Sequence, residues 1–296
     1  MEEKNTVFEP QISDIRISGS IIKVATLKAE KHYDVENPER VINSLQTGAA
    51  GVDIFTFMQR IPYTQPKFNY PMELDNVAAI PITSYDHWWH KQINAKTRNM
   101  VRKAGKKGLT IKTTPFNDTF VKGIHAIYNE SPIRQGRPFW HYGKSAARVK
   151  KENASYASTS DFIGAYLDDE LVGFIKVVHV DRYSYIMQIV SKLSHRDKAP
   201  TNGLLAEAVK ICAEKSMPYL IYSKFSYGKK GSDSLAAFKK HNGFEKIDLP
   251  RYYIPLTTKG RIALKLNLYN GFTGLLPTKL VTFLLKIRGR WYARRA

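Results

Sequence analysis

The middle of the chain holds three runs of β-branched and aromatic residues that predict consecutive strands. They cover positions 162–167, 171–180 and 183–193. A basic loop, 194–200, follows the last run, and apolar residues then recur with helical spacing from Thr201. The first amides of a helix are unpaired and its dipole is positive there, so the sequence predicts an anion-binding site where this strand meets the helix.

Upstream of these strands, residues 84–107 predict one long helix with two distinct faces. The apolar face recurs every three or four positions and comprises Trp89, Ile93, Met100 and Ala104. The second face is basic and comprises Arg98, Arg102 and Lys106. A basic face is usually solvated, and the functional alternative is contact with tRNA or with a lipid-linked, phosphorylated acceptor.

The order of the remaining elements indicates the fold class. From residue 109 the pattern predicts a strand, two helices, the three strands above, a helix, a strand at 219–223, a helix at 233–241 and a hairpin at 244–256. This order favours an α/β (α+β) fold with a mixed, mostly antiparallel sheet and helices on both faces. The expected domains are an N-terminal α/β extension (1–83), a central domain (84–256) and C-terminal basic helices (257–296).

The formal net charge of the 296-residue chain is +20, from 46 basic and 26 acidic residues. Such a charge favours a polyanionic partner, namely nucleic acid, an anionic membrane or a phosphorylated substrate. The tail from Lys259 has no acidic residue, and it predicts a helix that lies on an anionic membrane surface or one that completes the core. We find no signal peptide and no apolar run near the ~20 residues of a membrane span. We therefore expect a cytoplasmic protein, either soluble or peripheral at the inner face of the membrane.

The single cysteine, Cys212, excludes a disulfide framework and cysteine-based zinc sites. Its spacing from Leu205 and Val209 places it on the buried face of a helix. No spacing of histidines or carboxylates indicates a metal, so no metal is expected. No obligate protein partner is evident either.

The element order over residues 84–256 resembles the fold of the GCN5-related N-acetyltransferase (GNAT) superfamily. Segment 196–201, Arg-Asp-Lys-Ala-Pro-Thr, occupies the register of that family's Arg-x-x-Gly-x-Gly/Ala loop, and segment 235–244 resembles its helix that ends in Gly-Phe before a strand. The resemblance implies acyl-CoA as donor, held by amides of the fourth strand and the loop. The implied donor-binding residues are Ile189, Val190, Ser191, His195, Arg196, Ala199, Thr201 and Asn202. Ala199 and Thr201 replace loop glycines and Pro200 lacks an N–H, so fewer phosphate contacts are expected.

Segment 96–108 is similar to a stretch of the Fem-type peptidoglycan-bridge transferases. Those proteins are built from GNAT-like units and use aminoacyl-tRNA as donor, which makes aminoacyl-tRNA the alternative donor here. Together the resemblances imply an acyltransferase that acts on an amine or hydroxyl of a cell-envelope or polysaccharide precursor, small or lipid-linked. The rival class is a non-catalytic, degenerate GNAT module that binds nucleic acid or anionic membrane.

The loop at 132–144 is rich in arginine and aromatic residues and lies between the two helices predicted after residue 109. It is the candidate acceptor site. Arg134 and Arg137 suit a phosphate or carboxylate. Trp140 and Tyr142 suit stacking on a sugar or base, and His141 is the candidate general base. The alternative is a structural loop that packs over the sheet by its aromatic residues.

Two further candidates lie on predicted strands. Gln188 would point toward the substrate or pair within the sheet, and Tyr222 would act as a general acid or pack as a sheet aromatic. The tyrosine acid that is frequent in the GNAT family falls on Lys239 here, beside Phe238. A standard acetyltransferase acid is therefore missing at that place.

Overall fold

The computed structural model describes residues 14–28, 30, 34–48, 51–226, 234–270 and 287. Its strands are β1 (Ile15–Ser18), β2 (Val24–Leu27), β3 (Ile54–Met58), β4 (Met72–Pro81), β5 (Leu109–Thr113), β6 (Ile133–Arg134), β7 (Arg137–Pro138), β8 (Ser160–Leu167), β9 (Glu170–Val180), β10 (Tyr183–Ser191), β11 (Tyr219–Ile221) and β12 (Glu245–Pro255). Its α-helices are α1 (Pro38–Thr47), α2 (Tyr85–His87), α3 (Ala95–Lys106), α4 (Asp118–Asn129), α5 (Ala146–Asn153), α6 (Pro200–Glu214), α7 (Ser234–His241) and α8 (Thr258–Lys265).

The chain divides into two compact units. Of the described residues, those up to Asn76 and those from Ile247 to Asn270 form the first unit. Those from Val77 to Lys246, together with Ile287, form the second. The chain therefore leaves the first unit and returns to it, which the sequence pattern did not indicate. The domain boundaries expected at 83 and 256 remain predictions.

The first unit is a small sheet that packs against α1. In it β1 and β2 are antiparallel, β2 and β3 are parallel, and β3 and β12 are antiparallel. Its core is aromatic, with Phe57 and Tyr252 ring centroids 5.1 Å apart. A cavity of about 180 Å³ opens beside this core and is lined by Asp34, Val35, Glu36, Phe57, Gln59, Lys67 and Phe68.

The second unit is built on a mixed sheet in the order β4-β11-β10-β9-β8-β5. β10 and β11 run parallel, and the other neighbouring strands run antiparallel. The three central strands predicted from the sequence are confirmed as β8, β9 and β10. The turn between β8 and β9 is tight, with Asp168 in the left-handed region at φ 52°.

Helices cover both faces of this sheet. On one face, α6 buries Leu204 and Val209 against β8 and β9, and α3 packs on α6 and β5 with Ala104 buried. On the other, α4 buries Phe120 and Ile124 against Phe162 and Phe174. Full burial of one such side chain is worth about 1.5–3 kcal/mol, so these two layers hold the unit together. The predicted fold class, a mostly antiparallel mixed sheet with helices on both faces, is confirmed.

The single helix predicted for 84–107 is wrong, because the chain breaks near Ile93. α2 passes into a π-helical turn over Trp88–Gln92, and α3 begins after Asn94, whose side chain caps it by accepting from Thr97 N at 2.9 Å. Arg98 then donates to the carbonyls of Trp89 and Ile93 that the break leaves open, at 3.1 and 2.6 Å. Arg98 therefore closes the break and does not belong to a freely solvated basic face.

The break also changes which tryptophan enters the core. Trp88 is fully buried and donates from Nε1 to the carbonyl of Asn242 at 3.0 Å. Trp89, which the helical spacing placed inward, is only partly buried, and Arg102 lies over its ring at 5.3 Å. A π turn advances the face of the helix by about one residue, which explains the exchange.

The hairpin predicted for 244–256 is wrong as well, because β12 is one continuous strand. Residues 245–255 contain no glycine or Asn-Gly pair that would supply a tight turn. From Arg251 onward β12 pairs with β3. Of the predicted basic tail, α8 is described, while 271–286 and 288–296 lie outside the described residues. Within the described ranges, we find no helix long and apolar enough to cross a membrane.

Candidate functional site

The second unit opens where the parallel strands β10 and β11 part. They pair over three positions only, from Tyr183 with Tyr219 to Tyr185 with Ile221. Beyond this point the β11 side follows β4 instead, since Tyr222 N donates to the carbonyl of Ala78 at 2.8 Å. β10 continues beside β9 to Ser191, with a register shift at Met187. Among the described residues, β10 therefore pairs with no strand on its β11 side beyond Tyr185.

Gln188, on this edge, belongs to a chain of side chains that leads to the loop after α4. Tyr128 donates its hydroxyl to Gln188 Oε1 at 2.6 Å, and its ring stacks on His141 with centroids 4.3 Å apart. Burial raises the pKa of Tyr128 to about 12, so the phenol stays protonated and remains a donor. The predicted residues Gln188 and His141 are thus joined through Tyr128, which sequence reasoning missed.

His141 is neutral at physiological pH, because half-burial and the nearby Lys144 ammonium lower its pKa. Its Nδ1 lies 3.3 Å from Lys144 Nζ, and Lys144 is paired with Glu152 at 2.6 Å. An ammonium can only donate, so the lone pair of His141 lies on Nδ1 and the proton on Nε2. The predicted role of general base stays a prediction, and it requires the contact with Lys144 to open.

The predicted arginines and aromatics of this loop separate into an inner and an outer group. Arg134 lies inside: it donates to the carbonyls of Ser191 and Ile127 at 2.6 and 2.8 Å. Its hairpin, β6 with β7, turns through Gln135 and Gly136, both at positive φ. The outer group comprises Arg137, Trp140 and Tyr142, of which Trp140 is 78% exposed. The outer residues are free to meet an acceptor, whereas Arg134 fixes the hairpin to the end of β10.

The predicted donor-binding residues gather at the carboxyl end of β10 and the start of α6. Ser191 Oγ lies 3.2 Å from Thr201 Oγ1, and Asn202 donates to Asn242 Oδ1 at 3.1 Å. Ile189 packs toward the α6 face and Val190 toward the α4 face. The structure thus brings these residues together, and their role toward a donor stays a prediction.

The loop after β10 offers few amides to a phosphate. The amides of Arg196, Lys198 and Ala199 donate to loop carbonyls at 3.1, 3.0 and 3.2 Å. Asn202 N donates to the carbonyl of Ala199 at 3.1 Å, and Pro200 has no N–H. The loop amides that already have carbonyl partners agree with the smaller number of phosphate contacts expected from the sequence. His195 Nε2, from the same loop, lies 3.2 Å from Glu170 Oε2.

Glu130, which sequence reasoning missed, accepts hydrogen bonds from the amides of Leu193 and Ser194 at the start of this loop. Leu193 N donates to its Oε2 at 2.6 Å, and Ser194 donates to Oε1 through N at 2.9 Å and through Oγ at 2.7 Å. Arg134 Nη2 completes the set at 3.1 Å from Oε2. A carboxylate just after α4, where the helix dipole disfavours it, was the one signal in the sequence. We call these four donors the β10 anion nest.

The β10 anion nest keeps Glu130 ionised. Partial burial alone would raise its pKa, but hydrogen bonds from Ser194 and Leu193 and the charge of Arg134 outweigh it, so the pKa of Glu130 is lowered. Arg134 is itself mostly buried, and burial lowers its pKa from a very high ordinary value. The pair is therefore a charged, directional contact.

Tyr222, the candidate acid, lies on the other side of the opening. Its ring is partly buried, 6.0 Å from Phe244 between centroids, and Lys239 Nζ lies 4.7 Å above it. Lys239 is fully buried and donates to the carbonyl of Lys224. Lys239 thus has a structural contact at the position where the resemblance expected a tyrosine. The acid role of Tyr222 stays a prediction.

Comparison with known proteins gives no match among protein-family models and none among curated protein sequences. Among solved structures, the chain is similar to FemX, with a TM-score of 0.58 and 10% identity over 84% of this chain and 85% of that one. It is similar to the C-terminal domain of a protein named as a lysylphosphatidylglycerol synthetase from Agrobacterium fabrum, with a TM-score of 0.55 and 12% identity over 86% and 84% of the two chains. It is also similar to L-PGS from Bacillus licheniformis, with a TM-score of 0.53 and 12% identity over 82% and 81%. These likenesses show the fold, which is similar to that of FemX.

Proposed function

We propose that the protein is an acyltransferase that moves an aminoacyl group from aminoacyl-tRNA to an amine or hydroxyl of a cell-envelope or polysaccharide precursor. The observation that carries the choice of donor is the loop after β10. The amides of Leu193 and Ser194 donate to Glu130, several later amides of the loop donate to loop carbonyls, and Pro200 has no N–H to donate. A diphosphate-bearing donor such as acyl-CoA would find few free donors there. The likeness of fold to FemX and L-PGS supports the transferase class.

The charge distribution supports a tRNA donor. The chain carries a net charge of +20, and α3 exposes Lys96, Arg102 and Lys106. Exposed lysines and arginines on one helix suit the phosphate backbone of a nucleic acid, with an affinity that falls steeply as salt rises. In this proposal α3 positions the tRNA and the opening beside β10 receives its aminoacyl end.

In the proposed reaction the acceptor nitrogen or oxygen attacks the ester carbonyl of the aminoacyl group. The carbonyl becomes a tetrahedral oxyanion, and the ribose hydroxyl of the tRNA leaves with a proton while the acceptor loses one. Amides of β10 beside the bulge at Met187 are in the best position to hold the oxyanion. Gln188, oriented by the Tyr128 hydroxyl, would align the acceptor, and His141 would take its proton once Lys144 moves aside.

Acyl-CoA is the second candidate donor, and one observation favours it. The parting of β10 and β11 after three residue pairs leaves an edge along which an extended thioester arm would fit. That arm would bind without the amides of the loop after β10. The diphosphate of coenzyme A, however, would lack hydrogen bonds from those amides. The two donors therefore predict different dependence on tRNA.

A labelled-transfer assay tests the proposed function. Bulk tRNA is charged with a mixture of labelled amino acids and incubated with the protein and an extract of cell-envelope precursors. We expect label to move into the extract, and we expect no movement when the tRNA is deacylated beforehand. Transfer of label from acetyl-CoA without tRNA would select the second candidate. Salt-sensitive binding of tRNA or anionic vesicles with no transfer from either donor would instead identify a non-catalytic module.

A further inference from the structure

We propose that Glu130 determines donor specificity, because its carboxylate occupies the β10 anion nest and keeps the phosphate of a diphosphate-bearing donor out. The inference deepens the proposed function, on which its meaning for the donor rests. One consequence of the proposal does not depend on the transfer reaction: without the Glu130 carboxylate, the β10 anion nest binds an oxyanion from solution. This consequence is measured by anion binding and not by acyl transfer.

The donors of the nest converge on one oxyanion. Two successive amides, Leu193 N and Ser194 N, reach the two oxygens of Glu130 at 2.6 and 2.9 Å, and Ser194 Oγ reaches Oε1 at 2.7 Å. Arg134 adds a charged donor at 3.1 Å. Successive amides with a hydroxyl and a guanidinium form the kind of concavity that binds phosphates and carboxylates in proteins.

The nest is fixed independently of Glu130. Arg134 is held by the carbonyls of Ser191 and Ile127, and Ser191 ends β10 beside Thr201. Lys192 N donates to the carbonyl of Val172 at 2.8 Å, which holds the backbone just before Leu193. These contacts would persist if Glu130 were shortened, so the donors would stay aimed at one point.

The nest is also within reach of solvent. The side chain of Glu130 is 18% exposed, and Leu193 and Ser194 are exposed. Removal of the carboxylate would therefore leave a solvent-connected site in which two amides, a hydroxyl and a guanidinium still point at one place. Because these donors converge and one of them is charged, an external oxyanion should replace the lost carboxylate.

Glu170, the first residue of β9, provides a matched control that contacts the same loop. Its carboxylate pairs with Lys192 Nζ and with His195 Nε2, and both partners are side-chain cations or rings. Among the described residues, only these side chains contact the carboxylate, so Glu170→Ala removes the same charge without opening a nest. A general electrostatic effect would appear in both variants, whereas a built oxyanion site would appear in Glu130→Ala alone.

The experiment titrates wild type, Glu130→Ala and Glu170→Ala with pyrophosphate, inorganic phosphate, coenzyme A and formate by calorimetry and by the shift in Tm. We expect Glu130→Ala to bind pyrophosphate and coenzyme A at least about tenfold more tightly than either of the other proteins. A gain in the affinity of Glu130→Ala for pyrophosphate, with no gain for coenzyme A, would support the nest and would show that only small anions reach it. Equal affinities in Glu130→Ala and wild type, or an equal gain in Glu170→Ala, would overturn the proposal.

Folding of the variant is controlled by two further measurements. Glu130→Gln keeps the side-chain volume and one acceptor oxygen, and we expect its gain in anion binding to be smaller than that of Glu130→Ala. If Glu130→Ala melts early, formate should raise its Tm by restoring the missing carboxylate, and it should leave Glu170→Ala unchanged. Unfolding of both Glu130 variants with no response to any anion would show that Glu130 is only structural and would overturn the proposal. Because no step measures transfer, failure of the proposed function leaves this result unaffected.

Discussion

The two ends of β10 carry polar networks that look alike and differ in access. At the amino end, Ser184 Oγ lies 2.8 Å from His179 Nδ1, and His179 Nε2 lies 2.7 Å from Asp161 Oδ2. At the carboxyl end, Glu130 sits in the β10 anion nest. The first network has the residue types of a nucleophilic triad, but Ser184 is 0% exposed. The second joins a carboxylate to two amides, a hydroxyl and a guanidinium, and it meets solvent.

The difference teaches that residue types and distances do not identify a site without a path for the substrate. A buried hydroxyl cannot attack an acyl group that has no route to it. The network of Ser184 instead joins β8, β9 and β10 to the end of α6, where Lys215 Nζ lies 2.7 Å from Asp161 Oδ2. It is therefore a structural element, and our proposed function uses the open end of the same strand.

The largest expected effect separates Arg134 from Arg137, which lie on the same hairpin. Arg134→Ala removes bonds to two carbonyls and leaves the Glu130 carboxylate without its cation, so it should lower the free energy of unfolding by about 3 kcal/mol. Arg137 is exposed, and Arg137→Ala should change it by no more than about 0.5 kcal/mol. Urea unfolding of both variants checks this. Equal losses would mean that Arg134 does not anchor the hairpin to β10.

The second-largest effect is expected when the buried network of Ser184, His179 and Asp161 is broken. The hydrogen bond from His179, with that from Lys215, lowers the pKa of Asp161 to about 2. A depressed carboxyl pKa contributes stability that is present above the unfolded value near 3.9 and is lost as pH falls through the folded value. Asp161→Asn should therefore cost about 2–3 kcal/mol at pH 7. It should also flatten the loss of wild-type stability between about pH 4 and pH 2.

Asp118→Asn is the control for Asp161, because Asp118 is fully exposed and pairs only with Lys150 among its described ion-pair contacts. Its unfolding midpoint should stay near that of wild type at pH 7. If both variants kept the acid-induced loss of stability unchanged, Asp161 would not be its source.

A smaller effect tests whether Ser184 is only structural. Ser184→Ala leaves His179 Nδ1 without its partner and should cost about 1 kcal/mol in chemical unfolding. The kcat of the labelled transfer should remain that of wild type, because the hydroxyl has no access to substrate. A fall in kcat of about a thousandfold or more would make Ser184 a nucleophile and reverse the comparison.

The smallest effect on stability is expected at the exposed side of the acceptor loop. Trp140→Ala should change the free energy of unfolding by no more than about 0.5 kcal/mol, because the ring is 78% exposed. If the ring stacks on the acceptor, KM for the acceptor should rise by about tenfold with kcat unchanged. An unchanged KM would remove Trp140 from the acceptor site.

The sequence predicted those parts of the fold that depend on local patterns. α4 and α6 follow from their periodic apolar residues, and β8 to β10 follow from strand-forming runs along the chain. The broken helix at Ile93 was missed because adjacent tryptophans fit either face, and only the tertiary contact of Trp88 with Asn242 decides between them. β12 was missed because its pairing with β3 joins distant parts of the chain.

The same distinction separates the predicted from the missed residues of the site. Arg134, His141 and Gln188 were predicted from their residue types within one loop or strand. Glu130 was missed because its partners, Leu193 and Ser194, are 63 and 64 positions away. A carboxylate at the end of a helix has many ordinary explanations until the fold brings two amides to it.

One calorimetric titration of the wild-type protein with acetyl-CoA at low salt, beside a titration with aminoacyl-tRNA, tests the central claim most directly. Because amides of the loop after β10 already donate to Glu130 and to loop carbonyls, we expect saturable binding of aminoacyl-tRNA. We expect no saturable binding of acetyl-CoA below about 1 mM. Stoichiometric binding of acetyl-CoA in the range of about 1–10 μM, with none of aminoacyl-tRNA, would contradict it.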